Sequence, residues 1–255
     1  MSGSASAPLS SSIEIVGAIP ARYGSTRLPA KALAPILGRP MVQHVYERVA
    51  AARGLSRVVV LTDDERIASV VRGFGGEVEM TPESCTSGTD RIAWAARNWN
   101  ASGVINIQGD EPMIDPGAVT QVAEHLAAHP EDPIVTLAVQ AAEDELDNPN
   151  AVKVVLDRTG RALYFSRSRI PFPRGEGGWV PLKHLGIYGY QRAALLEFAA
   201  LAPTALERTE SLEQLRALEN GMPIRVLETR ETSIGVDTAE DLAEVERRLA
   251  DAARR

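Results

Sequence analysis

The chain has 255 residues, of which 44% are hydrophobic and 24% charged. This is ordinary globular composition, with enough apolar residues for a sizeable core. The net charge of −7 argues against a nucleic-acid-binding protein, which would more often carry a basic stripe.

The single cysteine, Cys85, excludes an intramolecular disulfide, so nothing indicates an oxidising compartment and we expect a cytoplasmic location. Residues 1–12 are rich in Ser and Ala but lack the basic start and apolar segment of a signal peptide, so we expect a disordered tail there. No apolar run approaches the ~20 residues that a membrane span needs. Residues 13–255 are expected to form one domain.

Short apolar strands alternate with amphipathic helices in the first half of the chain. Strands are predicted at residues 13–19, 58–61 and 104–107, and helices at 41–53, at 64–72 and from about 116. In the first helix the apolar residues Val42, Val45, Tyr46 and Val49 have the i, i+3, i+4, i+7 spacing of one helix face. This alternation predicts right-handed βαβ units, with helices on both faces of a parallel sheet.

The pattern changes in the second half. Strand-like segments at residues 152–156, 162–165 and 185–190 surround a Pro- and Gly-rich loop at 171–181, in which residues 175–178 are a candidate for mobility. We therefore predict a β-rich insertion over about 152–190. Helices are predicted at 210–219 and 240–249, and Thr238 is a candidate N-cap for the last helix, with Asp241 three positions on.

A basic loop at residues 20–31 directly follows the first strand. It contains Arg22, Arg27 and Lys31 and no acidic residue, while Gly24 permits close backbone approach. Three cations, hydroxyl groups and free N–H groups are what a triphosphate requires. The P-loop spacing is absent, and a solvated basic turn is the alternative, but ligands of doubly wound sheets collect beside the first βα turn.

Two carboxylates are candidates for a metal site. Asp110 closes the strand at 104–107, and Asp237 lies between a strand-like segment and the last helix. If the sheet is parallel, both can reach the same edge, and two carboxylates with phosphate oxygens suit Mg²⁺. Read singly, each is equally a turn former or a residue beside a helix cap.

Motifs spread along most of the chain resemble those of the 3-deoxy-manno-octulosonate cytidylyltransferases, the CMP-Kdo synthetases. Ser-Gly-Thr-Asp-Arg stands at residues 87–91 and Gln-Gly-Asp-Glu-Pro at 108–112. The other matching segments are 19–23, 25–29, 148–153, 164–167, 184–190, 212–216 and 235–238. Each segment alone is weakly specific, but all of them in this order are highly specific.

The resemblance implies a nucleotidyltransferase-type (Rossmann-like) α/β fold with a mostly parallel sheet, and a homodimer formed partly by the insertion. It implies transfer of CMP from CTP to 3-deoxy-manno-octulosonate (Kdo), with Mg²⁺ as cofactor, for lipopolysaccharide synthesis. No nucleic acid or membrane partner is implied.

By motif, the resemblance also implies site residues. Catalytic roles fall to Arg22, Lys31, Asp110 and Asp237, the last two as Mg²⁺ ligands. The nucleotide would be held by Pro20, Ala21, Arg22, Gly24, Ser25, Lys31, Ser87, Gly88, Thr89, Arg91, Gln108 and Asp110. The sugar would be held by Gln108, Arg167, His184, Tyr188, Glu213 and Gln214. His184 is expected to bind substrate rather than act as a base.

Two departures from the family pattern are visible. Many relatives carry a His at the place of Cys85, and the loop at 171–181 is shorter than in some of them. Rival enzymes of this architecture act on a nonulosonic acid such as sialic acid, on an amino analogue of Kdo, or on a polyol phosphate. A rival from another class is a nucleotide-binding regulatory protein or a catalytically silent paralogue, which the intact basic loop and carboxylates disfavour.

Overall fold

The computed structural model describes residues 13–24, 28–175, 177–231, 233–252 and 254. The strands are β1 (Ile15–Pro20), β2 (Pro35–Ile36), β3 (Arg39–Pro40), β4 (Arg57–Thr62), β5 (Val78–Met80), β6 (Gly103–Asn106), β7 (Ile134–Gln140), β8 (Lys153–Leu156), β9 (Ala162–Ser166), β10 (Leu182–Gln191) and β11 (Ile224–Glu228). The helices are α1 (Met41–Ala50), α2 (Glu65–Gly73), α3 (Gly88–Ala96), α4 (Pro116–Ala128), α5 (Arg192–Ala200), α6 (Ala205–Glu210), α7 (Gln214–Glu219) and α8 (Ala239–Ala252). The tail expected at 1–12, and Glu176 within the candidate mobile stretch, lie outside the described residues.

In the described part of the chain, the body of the main sheet has the strand order β11-β7-β10-β6-β1-β4-β5. Neighbours pair in parallel except at β10, which is antiparallel to both β6 and β7. All of these strands but β10 therefore point the same way and end at one edge of the sheet. This mostly parallel α/β arrangement confirms the predicted fold class.

Helices cover both faces because the central strands are apolar on both sides. In β4, Val58 and Val60 pack with α1, α2 and α4, whereas Val59 and Leu61 pack with α3, α5 and α7. The continuous apolar run of this strand is thus explained by burial on two faces.

A third, smaller cluster holds the C-terminal part of the chain against its beginning. Ile36, Met41, Val236 and Val245 pack together, so α8 lies over the segment between β1 and α1. Its start is capped as predicted: Asp241 N donates to Thr238 Oγ1 (3.2 Å) and Thr238 N donates to Asp241 Oδ2 (2.9 Å). This packing returns the residues before α8 to the edge where β1 ends.

The segment predicted as an insertion, residues 152–190, is not separate from the central sheet. β8 and β9 form an antiparallel hairpin, and β8 pairs with the beginning of β10 at Leu182 and Lys183. β10 then continues between β6 and β7. With ten residues it is long enough to belong to both parts.

The single helix predicted over residues 210–219 is wrong. α6 ends at Glu210, Ser211 has a φ of 51°, and α7 starts only at Gln214. The apolar residues Leu212 and Leu215 have helical spacing, but the left-handed residue between the helices redirects the chain. No helix within the described ranges is long and apolar enough to cross a membrane.

Candidate active site

A cleft of about 1030 Å³ opens at the edge of the sheet where β1 and β6 end. Its walls come from the segment after β1, the start of α3, the segment after β6, the α6–α7 region and the residues before α8. The lining residues are Pro20, Ala21, Arg22, Gly24, Lys31, Ala32, Cys85, Thr86, Ser87, Gly88, Arg91, Gln108, Gly109, Asp110, Glu207, Arg208, Ser211, Leu212, Glu213 and Asp237. This is the position that the topology rule for parallel sheets predicts.

The structure brings most of the predicted site residues to this cleft. Those that line it are Pro20, Ala21, Arg22, Gly24, Lys31, Ser87, Gly88, Arg91, Gln108, Asp110, Glu213 and Asp237. Ser25 lies outside the described residues. Thr89, Arg167, His184, Tyr188 and Gln214 lie near or behind the walls rather than on them.

Lys31 joins the two predicted metal carboxylates. Its Nζ donates to Asp110 Oδ2 at 2.6 Å, to Asp237 Oδ1 at 3.1 Å and to the carbonyl of Val236 at 2.9 Å. The backbone joins the same segments, because Val236 N donates to the carbonyl of Asp110 at 2.9 Å. Two carboxylates far apart in sequence therefore converge on one cation.

This arrangement fits a divalent cation. Asp110 and Asp237 hold the Lys31 ammonium between them, and their side chains are 34% and 48% exposed, so solvent and ligand oxygens can reach them. Among the residues that the structure describes, no group of three or more His, Cys, Asp or Glu side chains could hold a metal ion. A pair of carboxylates is the usual protein share of a Mg²⁺ site that is completed by phosphates and water.

The start of α3 forms the opposite wall of this end of the cleft. Ser87 caps the helix: its Oγ accepts from Asp90 N (3.0 Å), while Ser87 N donates to Asp90 Oδ2 (3.0 Å). Gly88 lets the helix approach β1 closely, since a Cβ there would lie 3.1 Å from Pro20 Cγ. The helix N-terminus therefore faces the cleft, where its unpaired N–H groups favour negative charge. Periodicity did not predict α3, because its first turn is Gly, Thr and Asp.

Arg91 and Cys85 also line this wall. The Arg91 guanidinium is 4% exposed and donates to Asp63 Oδ2 at 2.7 Å and to Thr81 Oγ1. It is therefore anchored to the residues that follow β4 and β5. Burial raises the pKa of the Cys85 thiol, so the protonated thiol is favoured at neutral pH and Cys85 is poorly suited to bind a metal or act as a nucleophile.

Glu213 stands on the far wall of the cleft with both of its carboxylate oxygens engaged. Thr89 Oγ1 donates to Oε2 at 2.5 Å, and Arg216 donates to Oε1 at 2.8 Å. Arg216 is itself held by Glu207 at 3.1 Å and lies over the Phe198 ring at 4.8 Å. Glu213 is thus a fixed anionic acceptor that remains 33% exposed.

Arg167 supports the same wall from behind. Its guanidinium donates to the carbonyls of Glu210 (2.7 Å), Pro149 (2.9 Å) and Ser211 (3.3 Å). These bonds hold the α6–α7 junction against the turn before β8. The described contacts of Arg167 are therefore with the backbone of the wall, and its proposed role on the sugar stays a prediction.

His184 and Tyr188 form a row of aromatic rings on β10 with Phe165 and Tyr190. Thr136 Oγ1 donates to the carbonyl of Ile187 (2.7 Å) and contacts His184 Nε2 (2.9 Å), so Nε2 is assigned as the protonated nitrogen. Desolvation lowers the pKa of His184 to about 3, which keeps the ring neutral at pH 7.

Tyr188 and Gln214 complete the set of predicted residues. The Tyr188 hydroxyl is buried without a hydrogen-bond partner among the described residues. Burial raises the pKa of Tyr188 well above its usual value, and the charge of Glu213 adds to that shift. The ring is therefore close to Glu213 although it does not line the cleft. Gln214 is buried at the start of α7.

Glu111 follows Asp110 and is a further ionisable group beside the cleft. Burial raises the pKa of Glu111 to about 7, and the charge of Asp110 reinforces that shift. Its carboxyl also lies near β10, since a Cβ on Gly186 would be 3.5 Å from Glu111 Oε1. No sequence pattern indicates this shift, which depends on packing.

Sequence reasoning missed several cleft residues. They are Ala32, Cys85, Thr86, Gly109, Glu207, Arg208, Ser211 and Leu212. Half of these lie in the α6–α7 region. The continuous helix predicted over residues 210–219 leaves no turn there that could line the cleft. The left-handed residue Ser211 carries no glycine or proline signal that could have marked it.

Comparisons with known proteins agree with this geometry. The cytidylyltransferase family profile matches residues 16–226. A 3-deoxy-manno-octulosonate cytidylyltransferase of Geobacter sulfurreducens is 52% identical over 250 residues, covering 93% of this chain and all of that protein. An 8-amino-3,8-dideoxy-manno-octulosonate cytidylyltransferase of a Shewanella species is 51% identical over 237 residues, covering 91% and 97% of the two chains.

A solved structure has nearly the same fold. It is that of a CMP:2-keto-3-deoxy-manno-octonic acid synthetase complexed with CTP, which is 43% identical and superposes with a TM-score of 0.90 over 94% of this chain and 99% of that one. The family profile, the identity over almost the whole length and this superposition lead to one conclusion. The chain belongs to the cytidylyltransferase family and is a nucleotidyltransferase.

Proposed function

We propose that this protein transfers CMP from CTP to the anomeric hydroxyl of 3-deoxy-manno-octulosonate, giving CMP-Kdo and pyrophosphate. The observation that carries the proposal is the convergence of Asp110 and Asp237 on Lys31 in a cleft that Glu213 also lines. The two carboxylates with Lys31 suit a triphosphate with its cation. Glu213 suits hydroxyl groups, because a fixed carboxylate accepts hydrogen bonds from them and repels phosphate.

In this proposal Asp110 and Asp237 hold Mg²⁺, which when bound would neutralise phosphate charge and lower the pKa of the attacking hydroxyl. Arg22 and Lys31 stabilise the charge on the triphosphate and the leaving pyrophosphate. Lys31 would then exchange its carboxylate partners for phosphate oxygens. The start of α3, with Ser87 and Gly88, holds the nucleotide.

No protein base is assigned. His184 is the obvious titratable residue among those assigned to the sugar, but the pKa of about 3 makes it a neutral hydrogen-bonding group that has little affinity for a proton. Positioning and charge neutralisation are sufficient for phosphoryl-group transfer of this kind.

The test is a coupled pyrophosphate-release assay with CTP and Mg²⁺, with Kdo, its 8-amino analogue or N-acetylneuraminate in separate wells. Turnover with Kdo is the expected result. The 8-amino analogue is the second candidate substrate, because a relative named for it is as similar to this chain as one named for Kdo. Turnover of N-acetylneuraminate alone would remove the proposal, and CTP binding without any turnover would favour a silent paralogue.

The assay also tests the metal. We expect EDTA to abolish turnover and Mg²⁺ to restore it, with Mn²⁺ as a parallel arm. Turnover that persists in EDTA would contradict the role given to Asp110 and Asp237.

We further propose a cytoplasmic homodimer that supplies CMP-Kdo for lipopolysaccharide synthesis. Support for the dimer is an apolar surface on the β8–β10 region: Leu163, Phe172, Trp179 and Val180 are 62%, 84%, 42% and 49% exposed. Several large apolar side chains exposed in one region of the chain are typical of protein–protein contacts. The single cysteine suits a reducing compartment.

A further inference from the structure

Thr89 belongs to the Ser-Gly-Thr-Asp-Arg motif, which predicts a contact with the nucleotide. The side chain of Thr89, however, does not reach the cleft in which the nucleotide would bind. It is 2% exposed in the first turn of α3, and its neighbours Ser87 and Gly88, not Thr89, line the cleft. Its hydroxyl donates to Glu213 Oε2 at 2.5 Å. A hydroxyl has one proton, so this bond uses the only donor that Thr89 has.

The bond connects two walls of the cleft that the main chain does not connect locally. Thr89 is on α3, whose start lines the cleft at Ser87 and Gly88, and Glu213 lines it just before α7. The second oxygen of Glu213 is held by Arg216 at 2.8 Å. Among the described residues each oxygen has one protein donor, so the carboxylate plane is fixed, while the side chain stays 33% exposed at the cleft.

We propose that Thr89 is a positioning residue for the sugar: it orients Glu213 and makes no contact with the nucleotide. This inference rests on the proposed function, in which Glu213 accepts hydrogen bonds from the sugar hydroxyls. Among the described residues, loss of the Thr89 hydroxyl leaves Arg216 as the one donor to the carboxylate, which can then rotate. Affinity for the sugar then falls, whereas affinity for the nucleotide is unchanged.

The test is steady-state kinetics on Thr89→Val, which removes the hydroxyl and nearly preserves the shape of the side chain. We expect the KM for the sugar to rise about tenfold and the KM for CTP to change less than twofold. Thr89→Ser retains the hydroxyl and is expected to restore the sugar KM to within about twofold of wild type.

The matched control is Thr120→Val. Thr120 is also a buried helical threonine, but it lies on α4 and its hydroxyl donates to the carbonyl of Pro116 at 2.8 Å, away from the cleft. Neither KM is expected to change. A double variant of Thr89→Val with Glu213→Gln is expected to bind sugar no worse than Glu213→Gln alone, because Thr89 acts through that carboxylate.

The outcomes separate this inference from the proposed function. No turnover by the wild type would remove the proposed function and the inference together. Turnover by the wild type with a raised CTP KM in Thr89→Val, or with additive effects in the double variant, would overturn the inference alone. If Thr89→Val does not fold, Thr89→Ala removes the same hydroxyl. Failure of both to fold, beside a folded Thr89→Ser, would show a purely structural role and also overturn the inference.

Discussion

At the scale of single residues, the chemistry of the cleft depends on which charges are neutralised by which partners. Lys31 offsets one of the two negative charges of Asp110 and Asp237 and tethers the backbone at Val236. The two carboxylates would otherwise repel each other across a partly exposed surface. Their mutual repulsion is the electrostatic reason that this end of the cleft attracts a cation.

Asp237→Asn tests the metal role of this residue. It removes one charge and almost no volume, so we expect a nearly unchanged midpoint of urea unfolding but a kcat lowered by roughly 100-fold. Asp251→Asn, on the exposed surface of α8, is the control and is expected to leave kcat unchanged. A kcat for Asp237→Asn within a few-fold of wild type would show that the residue is not a metal ligand.

His184 predicts a dependence of stability on pH. Its pKa in the folded protein is about 3, below the ordinary 6.5, because of burial. Below pH 6.5 the unfolded chain takes up a proton that the folded protein does not, so stability falls as the pH falls. Between pH 7 and pH 5 the loss from this one group is about 2 kcal/mol.

His184→Phe removes that titration, and the Thr136 hydroxyl keeps its bond to Ile187. We expect the difference in the free energy of unfolding between pH 7 and pH 5 to be about 2 kcal/mol smaller in the variant, measured by urea unfolding at both pH values. An unchanged difference would mean that His184 titrates normally in the folded protein.

At the scale of elements, the wall that carries Glu213 is held from behind by the cations of Lys153 and Arg167 as well as by apolar packing. Lys153, on β8, is fully buried, and its Nζ donates to the carbonyls of Asn148 (2.9 Å), Ala151 (2.6 Å) and Arg167 (2.6 Å). Burial lowers the pKa of Lys153. Arg167 continues this network to the α6–α7 junction through Ser211.

Lys153→Met is therefore expected to lower the free energy of unfolding by about 3 kcal/mol, because three carbonyls lose the buried ammonium as their donor. The control is Lys183→Met. Lys183 is the register partner of Lys153 on β10, but it is partly exposed and pairs with Glu145, so we expect a loss of less than about 1 kcal/mol. Equal losses in the two variants, measured by urea unfolding, would contradict the network.

At the scale of the whole molecule, the distribution of exposed apolar side chains predicts which surface would form the contact of the proposed dimer. Of the eight large hydrophobic residues found exposed in the described part of the chain, four lie between residues 152 and 190. The cleft lies at the edge where β1 and β6 end, and Phe172 does not line it. A change at Phe172 can therefore separate assembly from chemistry.

Phe172→Asp is expected to shift the protein from dimer to monomer, because a charge would be buried in an apolar contact. The measurement is the molar mass in solution by light scattering over a range of concentrations. Met80→Asp is the control. It places the same charge at another exposed apolar residue, which is 40% exposed on the edge strand β5, and it is expected to leave the molar mass unchanged. A Phe172→Asp protein that remains dimeric would exclude this surface as the contact.

The sequence predicted the parts of the fold that depend on local pattern. β4, α1 and the cap of α8 lie within a few residues of their predicted positions, because continuous apolar runs, helical spacing and a capping Thr are local signals. The position of the basic loop after β1 also followed from the sequence alone. Nine motif segments in order indicated the family, and the comparisons confirmed it.

Only the tertiary structure decided which side chains meet. The approach of Asp237 to Asp110 requires the parallel direction of β11 and the packing of α8 through Val236 and Val245, and both are long-range effects. The break at Ser211 is also a long-range effect, because the helical spacing of apolar residues continues through it. The bond from Thr89 to Glu213 is another, because the motif that contains Thr89 predicts a contact with the nucleotide instead. Sequence patterns report what a segment can form, whereas its partners are chosen by packing energy summed over the whole chain.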